Sequence, residues 1–308
     1  MVDINYVFLL SLSIIVIGFI LKKLNIIAEE HGKVIAKIVF NVTLPAIVLR
    51  VMSTLEFNMS LILIPLIMIL FSLGVLVFTL ILFRKAPRER KGLILMTVIG
   101  FNVVHLAFPL VEGIWGAEGF MYIALVDAGN AIIIFLICYL IGAIYSPKID
   151  SEGIDVNYKY IGKKLLKSTP LIAYIIGLSI NFSGATIPDF AMDILIILGR
   201  ANTALTLLLL GIYLNFKFEK AEWGVIIKVL VIRYSIGLTV GLILFFYLPF
   251  NHVYRMIILI ALILPVGLSV IPFSVEFDYN ERLINMMVTL TIIISFSLMW
   301  ILVLILGV

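Results

Sequence analysis

Polar positions cut the chain into ten long apolar runs, at 5–21, 34–54, 60–83, 92–115, 120–145, 165–180, 190–214, 223–248, 253–275 and 283–308. A helix needs about 20 mostly apolar residues to cross a bilayer, so each run is a candidate membrane span, the first and sixth being short. Two runs carry helix breakers. In the fourth, NVVHLAFPLVE (102–112) places an amide and an imidazole, Asn102 and His105, ahead of Pro109. In the ninth, LPVGLSVIPFSVE (264–276) carries Pro265 and Pro272. Superimposing Pro109 on Pro272 lays Asn102 on Pro265 and puts an acid just after each proline, Glu112 and Glu276. Broken backbone at membrane depth is tolerated only inside protein or against a watery cavity. Paired interrupted segments in two halves of a chain point to a transporter's binding site.

The linkers sort into two alternating sets. The linkers 22–33, 84–91, 146–164, 215–220 and 277–282 hold most of the Lys and Arg, while 55–60, 116–119, 181–189 and 249–252 hold none. The positive-inside rule makes the first set cytoplasmic and places both termini outside. The first run ends, rather than begins, with basic residues, Lys22 and Lys23; a signal peptide has the opposite polarity, so this run is expected to be a membrane helix. The long central linker 146–164 divides the chain into 1–145 and 165–308, five runs each. An odd number per half turns the second half upside down relative to the first, the inverted repeat of many transporters. Asn41-Val-Thr-Leu-Pro45 in the second run is echoed by Asn202-Thr-Ala-Leu-Thr206 in the seventh.

Composition agrees. With 63% hydrophobic and 13% charged residues, the chain lies far from the roughly half apolar, quarter charged make-up of soluble domains and reads as an all-α integral membrane protein. The net charge of +4 sits in short loops and does not imply nucleic acid. The single cysteine, Cys138, rules out a disulfide framework or Cys-based metal site, and the three histidines have no ligand spacing. No GxSxG, HExxH or Walker A sequence occurs, so no enzyme, metal or cofactor is expected.

What remains is polar chemistry in a low dielectric. A proline in a helix frees a carbonyl: Pro109 that of His105, Pro272 that of Leu268, Pro265 that of Ala261. Helices restarting after a break present free N–H groups and a positive dipole end that suit an anion. Asn102 and His105, three apart, share a face. Charges within the spans should have partners: Asp127 with Arg233 between the fifth and eighth runs, and Asp193 with Arg200 through another group.

LPVGLSVIPF with the following EFDYN resembles the ninth helix of the auxin efflux carrier family. The 102–119 stretch resembles its fourth helix, NVTLPAIVL (41–49) its second and TALTLLLLGIYL (203–214) its seventh. The resemblance covers the whole chain in order. It implies ten helices in two inverted five-helix repeats, with broken helices four and nine crossing near the midplane. Helices one, two, six and seven would form a support domain, and three to five with eight to ten a transport domain. By this resemblance Asn102, Pro109, Pro265 and Pro272 would sit at the crossover by the substrate; from the residues themselves His105, Gly267 and Ser269 join them as the expected substrate-binding set, and Glu112, Glu276 and Asn130 are candidate gate or ion residues. Some relatives carry an acid in the third helix, which the run 60–83 lacks.

The expected function is alternating-access transport of a small organic anion, an auxin-like carboxylate or a dicarboxylate, in the export direction and at the cell membrane. A coupling cation (H+ or Na+) and a homodimer are open. Two alternatives stand beside it: a sodium-coupled importer of the bile-acid type, with break carbonyls and Glu112 or Glu276 as ligands, and a membrane sensor without flux.

Overall fold

The computed structural model describes residues 3–55, 58–147, 168–216 and 222–307. The expected linker 146–164 lies, beyond Pro147, outside the described residues, as do the ends of several smaller loops. Apart from one isolated bridge, the described residues form helices and turns. In chain order these are α1 (Ile4–Lys23), α2 (Glu29–Ile38), α3 (Leu44–Ser53), α4 (Leu63–Leu82), α5 (Arg88–Ile99), α6 (Phe108–Ile132) and α7 (Tyr139–Ile144). The second half holds α8 (Thr169–Ser183), α9 (Asp189–Tyr213), α10 (Trp223–Tyr247), α11 (His252–Leu262), α12 (Val270–Phe277) and α13 (Glu281–Leu306).

Seven segments are long and apolar enough to span a bilayer: Ile4–Lys23, Glu30–Ser53, Met59–Leu82, Val103–Ile144, Asp189–Tyr213, Trp223–Tyr247 and Glu281–Leu306; Thr169–Ser183 and His252–Leu262 are shorter apolar helices. The 42-residue segment Val103–Ile144 would run about 60 Å if straight, roughly twice the hydrocarbon thickness. It is not straight: Gly116 has φ 59° and ψ −142°, a conformation that costs a side chain dearly, and the chain turns back there. The 25-residue α6 is therefore two limbs, 108–115 and 117–132.

Prolines shape two further helices through π turns. Val39–Thr43 precedes Pro45, and Val103–Ala107 precedes Pro109. Each widened turn ends two residues before the proline, where its ring would crowd the carbonyl four residues back and leave it without a donor.

Close packing follows small residues. A Cβ added to Gly18 of α1 would lie 2.3 Å from the Leu208 carbonyl oxygen, and one on Gly211 of α9 would lie 2.0 Å from that of Ile15. The backbones of α1 and α9 thus touch where glycines allow it, the usual basis of helix association in lipid. Thr43 Oγ1 donates to Asn202 Oδ1 at 2.9 Å, joining the two echoed motifs. Tyr6, Leu70, Phe190 and Tyr247 are exposed, in keeping with lipid-facing surface.

Candidate functional site

The two interrupted segments meet. The helix α5 stops at Ile99, α11 stops at Leu262, and the chains then run extended past each other with Phe101 opposite Val266 in an antiparallel bridge. Asn102 N donates to Pro265 O at 2.9 Å and Gly267 N to Gly100 O at 3.1 Å. Side chains close the remaining backbone groups, as buried polar backbone requires. Asn130 serves Phe101 twice, accepting from its N at 3.2 Å and donating to its carbonyl at 2.8 Å. Thr291 Oγ1 accepts from Val266 N at 3.1 Å, and Ser295 Oγ donates to Ile263 O at 2.6 Å.

Arg233 of α10 is the hub. Its guanidinium donates to the carbonyls of Thr97 (2.8 Å), Val98 (3.1 Å), Gly100 (3.1 Å), Leu264 (2.7 Å) and Pro265 (2.8 Å), and its Cζ lies 4.1 Å from the centre of the Phe101 ring. The expected Arg233–Asp127 pair does not form. A guanidinium has five donors in a fixed fork, and the two breaks supply a matching cluster of carbonyls that a single carboxylate could not replace.

Beside the crossing lies a cavity of about 310 Å³. Asn102, His105, Gly267, Ser269, Asn130 and Asp127 line it, with Phe40, Leu44, Phe135 and Leu171 as apolar wall. Asn102 caps the restarted helix: its Oδ1 accepts from His105 N at 3.2 Å and faces His105 Nδ1 at 3.1 Å. Asn102 and His105 are each 3% exposed. Asn102 Nδ2 and His105 Nε2 are buried and find no partner among the described residues. Unpartnered buried polar atoms cost about 1–3 kcal/mol each, and both belong to side chains that line the cavity.

The other expected site residues lie elsewhere. Pro109, Pro265 and Pro272 do not line the cavity. The break expected at Pro109 falls instead at residues 100–102: the π turn carries the Phe108 N–H to Val103 O, so the helix runs through Pro109 without a gap. Pro265 contributes its carbonyl to the crossing, and Pro272 sits in the first turn of α12, where a missing donor costs little. Glu112 is held by α3 and α9, accepting from Arg50 Nη2 at 3.4 Å and Thr203 Oγ1 at 3.2 Å. Glu276 accepts from Tyr139 Oη at 2.5 Å. Asp193 and Arg200 are exposed and form no ion pair with each other; seven residues of helix separate them by about 10 Å. Asp127 instead faces Tyr174, whose Oη lies 3.4 Å from Asp127 Oδ2 and donates to Ala124 O at 2.9 Å. Sequence reasoning did not single out Tyr174. Asp127 in the cavity and Asn130 as a backbone clamp are geometric facts that the spacing of an apolar run does not carry.

The family model described as membrane transport protein matches residues 7–304. The chain belongs to the auxin efflux carrier family. Among curated proteins, it is 28% identical over 239 residues to an uncharacterized transporter of Methanocaldococcus jannaschii, covering 72% of this chain and 73% of the relative. It is also 28% identical over 212 residues to an uncharacterized transporter of Methanothermobacter thermautotrophicus, covering 67% of each. As a member of the auxin efflux carrier family with several apolar helices, the chain is a multi-pass membrane transporter.

Proposed function

We propose that the protein is a secondary transporter that carries a small organic anion, a carboxylate, through the cavity at the crossing. The single observation behind this reading is the pair of unpartnered atoms, Asn102 Nδ2 and His105 Nε2, set in one cavity. A carboxyl group offers both of them partners. The helix restarting at Val103 adds N–H groups and a positive dipole end, and Arg233 places a full charge behind the Phe101 ring.

The same geometry weighs against sodium coupling at the crossing. The carbonyls a cation would coordinate are occupied by the Arg233 guanidinium, and Glu112 and Glu276 are engaged elsewhere.

Ten spans in two inverted halves, 1–145 and 165–308, suit the backbone. Laying Phe101 on Val266 brings the starts of α1, of the Met59 turn and of α5 within about one residue of the starts of α8, α10 and α11, inside the usual scatter of helix ends. On this register Asn102 corresponds to Gly267 rather than to Pro265.

In the proposed division α1–α3, α8 and α9 form the support, and the rest moves. The cavity then reaches toward Ser168 and Pro170, which follow the basic stretch 146–164 in sequence, so on this reading the conformation faces the cytoplasm. The Arg50–Glu112–Thr203 cluster crosses from support to moving part on the outer side. A carboxylate carried alone out of a negative-inside cell would gain about 2.3 kcal/mol per charge per 100 mV.

Proteoliposomes loaded with labelled phenylacetate or succinate, with and without sodium, test the reading. Sodium-independent flux of either is expected. Flux only with sodium favours the importer; binding without flux favours a sensor.

A further inference from the structure

The orientation of the Asn102 amide follows from its neighbours. The backbone N–H of His105 only donates, so the Asn102 atom 3.2 Å away is oxygen. That same oxygen lies 3.1 Å from His105 Nδ1 and only accepts, so Nδ1 carries the ring hydrogen. In the neutral ring Nε2 is then a bare acceptor. The two unpartnered atoms are therefore unlike: Asn102 Nδ2 offers hydrogens, and His105 Nε2 offers a lone pair. A carboxylate has acceptors only and satisfies the first but repels the second. A carboxyl group bearing one proton satisfies both, its carbonyl oxygen accepting from Nδ2 and its hydroxyl donating to Nε2.

Charge in the cavity points the same way. Asp127 is 9% exposed and also lines the wall. The groups facing it are neutral: Tyr174 of α8, which donates its one hydrogen to Ala124 O, and Asn130 on its own helix. Arg233 is committed to carbonyls. His105, from the π turn, lines the same wall, with Asp127 and Tyr174 the other titratable side chains there among the described residues. A bare carboxylate here would meet no charged side chain on the cavity wall among the described residues that is free to pair with it, Arg233 standing behind the Phe101 ring.

Resting on the transport reading above, we propose that the site takes up its carboxylate together with one proton, held between the carboxyl and His105 Nε2. The proton comes from the water on the loading side and leaves with the substrate on the other, so binding and transport of the anion are coupled to one proton. By linkage, a bound carboxylate raises proton affinity and protons raise carboxylate affinity to the same degree.

Calorimetric titration of phenylacetate into purified protein near pH 8, in buffers of different ionisation heat, counts the protons. Wild type should take up about one proton per carboxylate, and its affinity should fall about tenfold per pH unit above neutrality. His105→Phe keeps an aromatic ring of similar shape and should lose both the uptake and the pH slope. Asp127→Asn should retain the uptake. If His105→Phe does not fold, the wild type and Asp127→Asn still decide: uptake lost in Asp127→Asn overturns the assignment to His105. Phenylacetate bound by wild type without proton uptake overturns the coupling alone, whereas no binding at any pH by phenylacetate or succinate overturns the transport reading with it.

Discussion

The two interrupted segments share a backbone plan and differ in chemistry. Each stops a helix, runs extended for a few residues, and pairs with the other through two backbone hydrogen bonds. The first break places two polar side chains, Asn102 and His105, on the cavity wall. The second presents Gly267 and Ser269 there, while both segments spend carbonyls on Arg233. On the bridge register Asn102 stands opposite the sequence position of a glycine. A repeated backbone thus carries an unrepeated site: both halves supply carbonyls that hold the crossing together, one half adds the recognising groups, and the other a close wall.

The comparison breaks most completely at Arg233, which serves both segments at once. Arg233→Leu should strip a donor from five buried carbonyls, of which those of Gly100 and Pro265 keep a backbone donor; a buried carbonyl left unpaired costs about 1–3 kcal/mol, so the yield of folded protein should collapse by size-exclusion chromatography. Arg233→Lys, with three rotating donors instead of a planar fork, should recover only part of that yield. Normal folding of the Leu variant would show that the crossing stands without its cation.

Asn102→Ala comes next. Leaving the buried carboxyl oxygen without its donor costs about 1–3 kcal/mol, so carboxylate affinity should drop about tenfold or more, while loss of the cap lowers stability by about 1 kcal/mol. The polar side chain that the second segment sets on the cavity wall, Ser269, makes no capping bond, so Ser269→Ala should change affinity by less than about threefold. Equal losses in the two would mean that both halves recognise the substrate.

Pro109→Ala should have the smallest effect. The break lies at residues 100–102, ahead of Pro109, and the restarted helix already runs through it. Near-normal affinity and a modest gain in melting temperature are expected. A large loss of affinity would return the break to the proline.

Much of this was legible in the sequence, because membrane physics writes in long strokes. Apolar runs of spanning length and the two proline-bearing segments follow from composition and spacing alone. The starts of the two stretches do meet, Asn102 N donating to Pro265 O beside the bridge. What the sequence hid was pairing in three dimensions. Arg233 and Asp127 invite a salt bridge by sign and depth, yet carbonyls released by two distant breaks outcompete one carboxylate for a forked cation. Pro109 reads as the break, yet a π turn absorbs it, while the interruption falls at Gly100 and Asn102, where glycine and a capping amide are the quieter signals. Asn130 reads as a polar residue on a helix and is in fact a surrogate strand for Phe101.

The central claim is that the crossing cavity binds the carboxylate through Asn102. The direct test is equilibrium binding of phenylacetate and succinate to purified wild type and Asn102→Ala, with concentrations normalised to folded protein. The account predicts saturable binding of at least one of them, weakened about tenfold or more by the substitution. Equal affinity in the two proteins would contradict it.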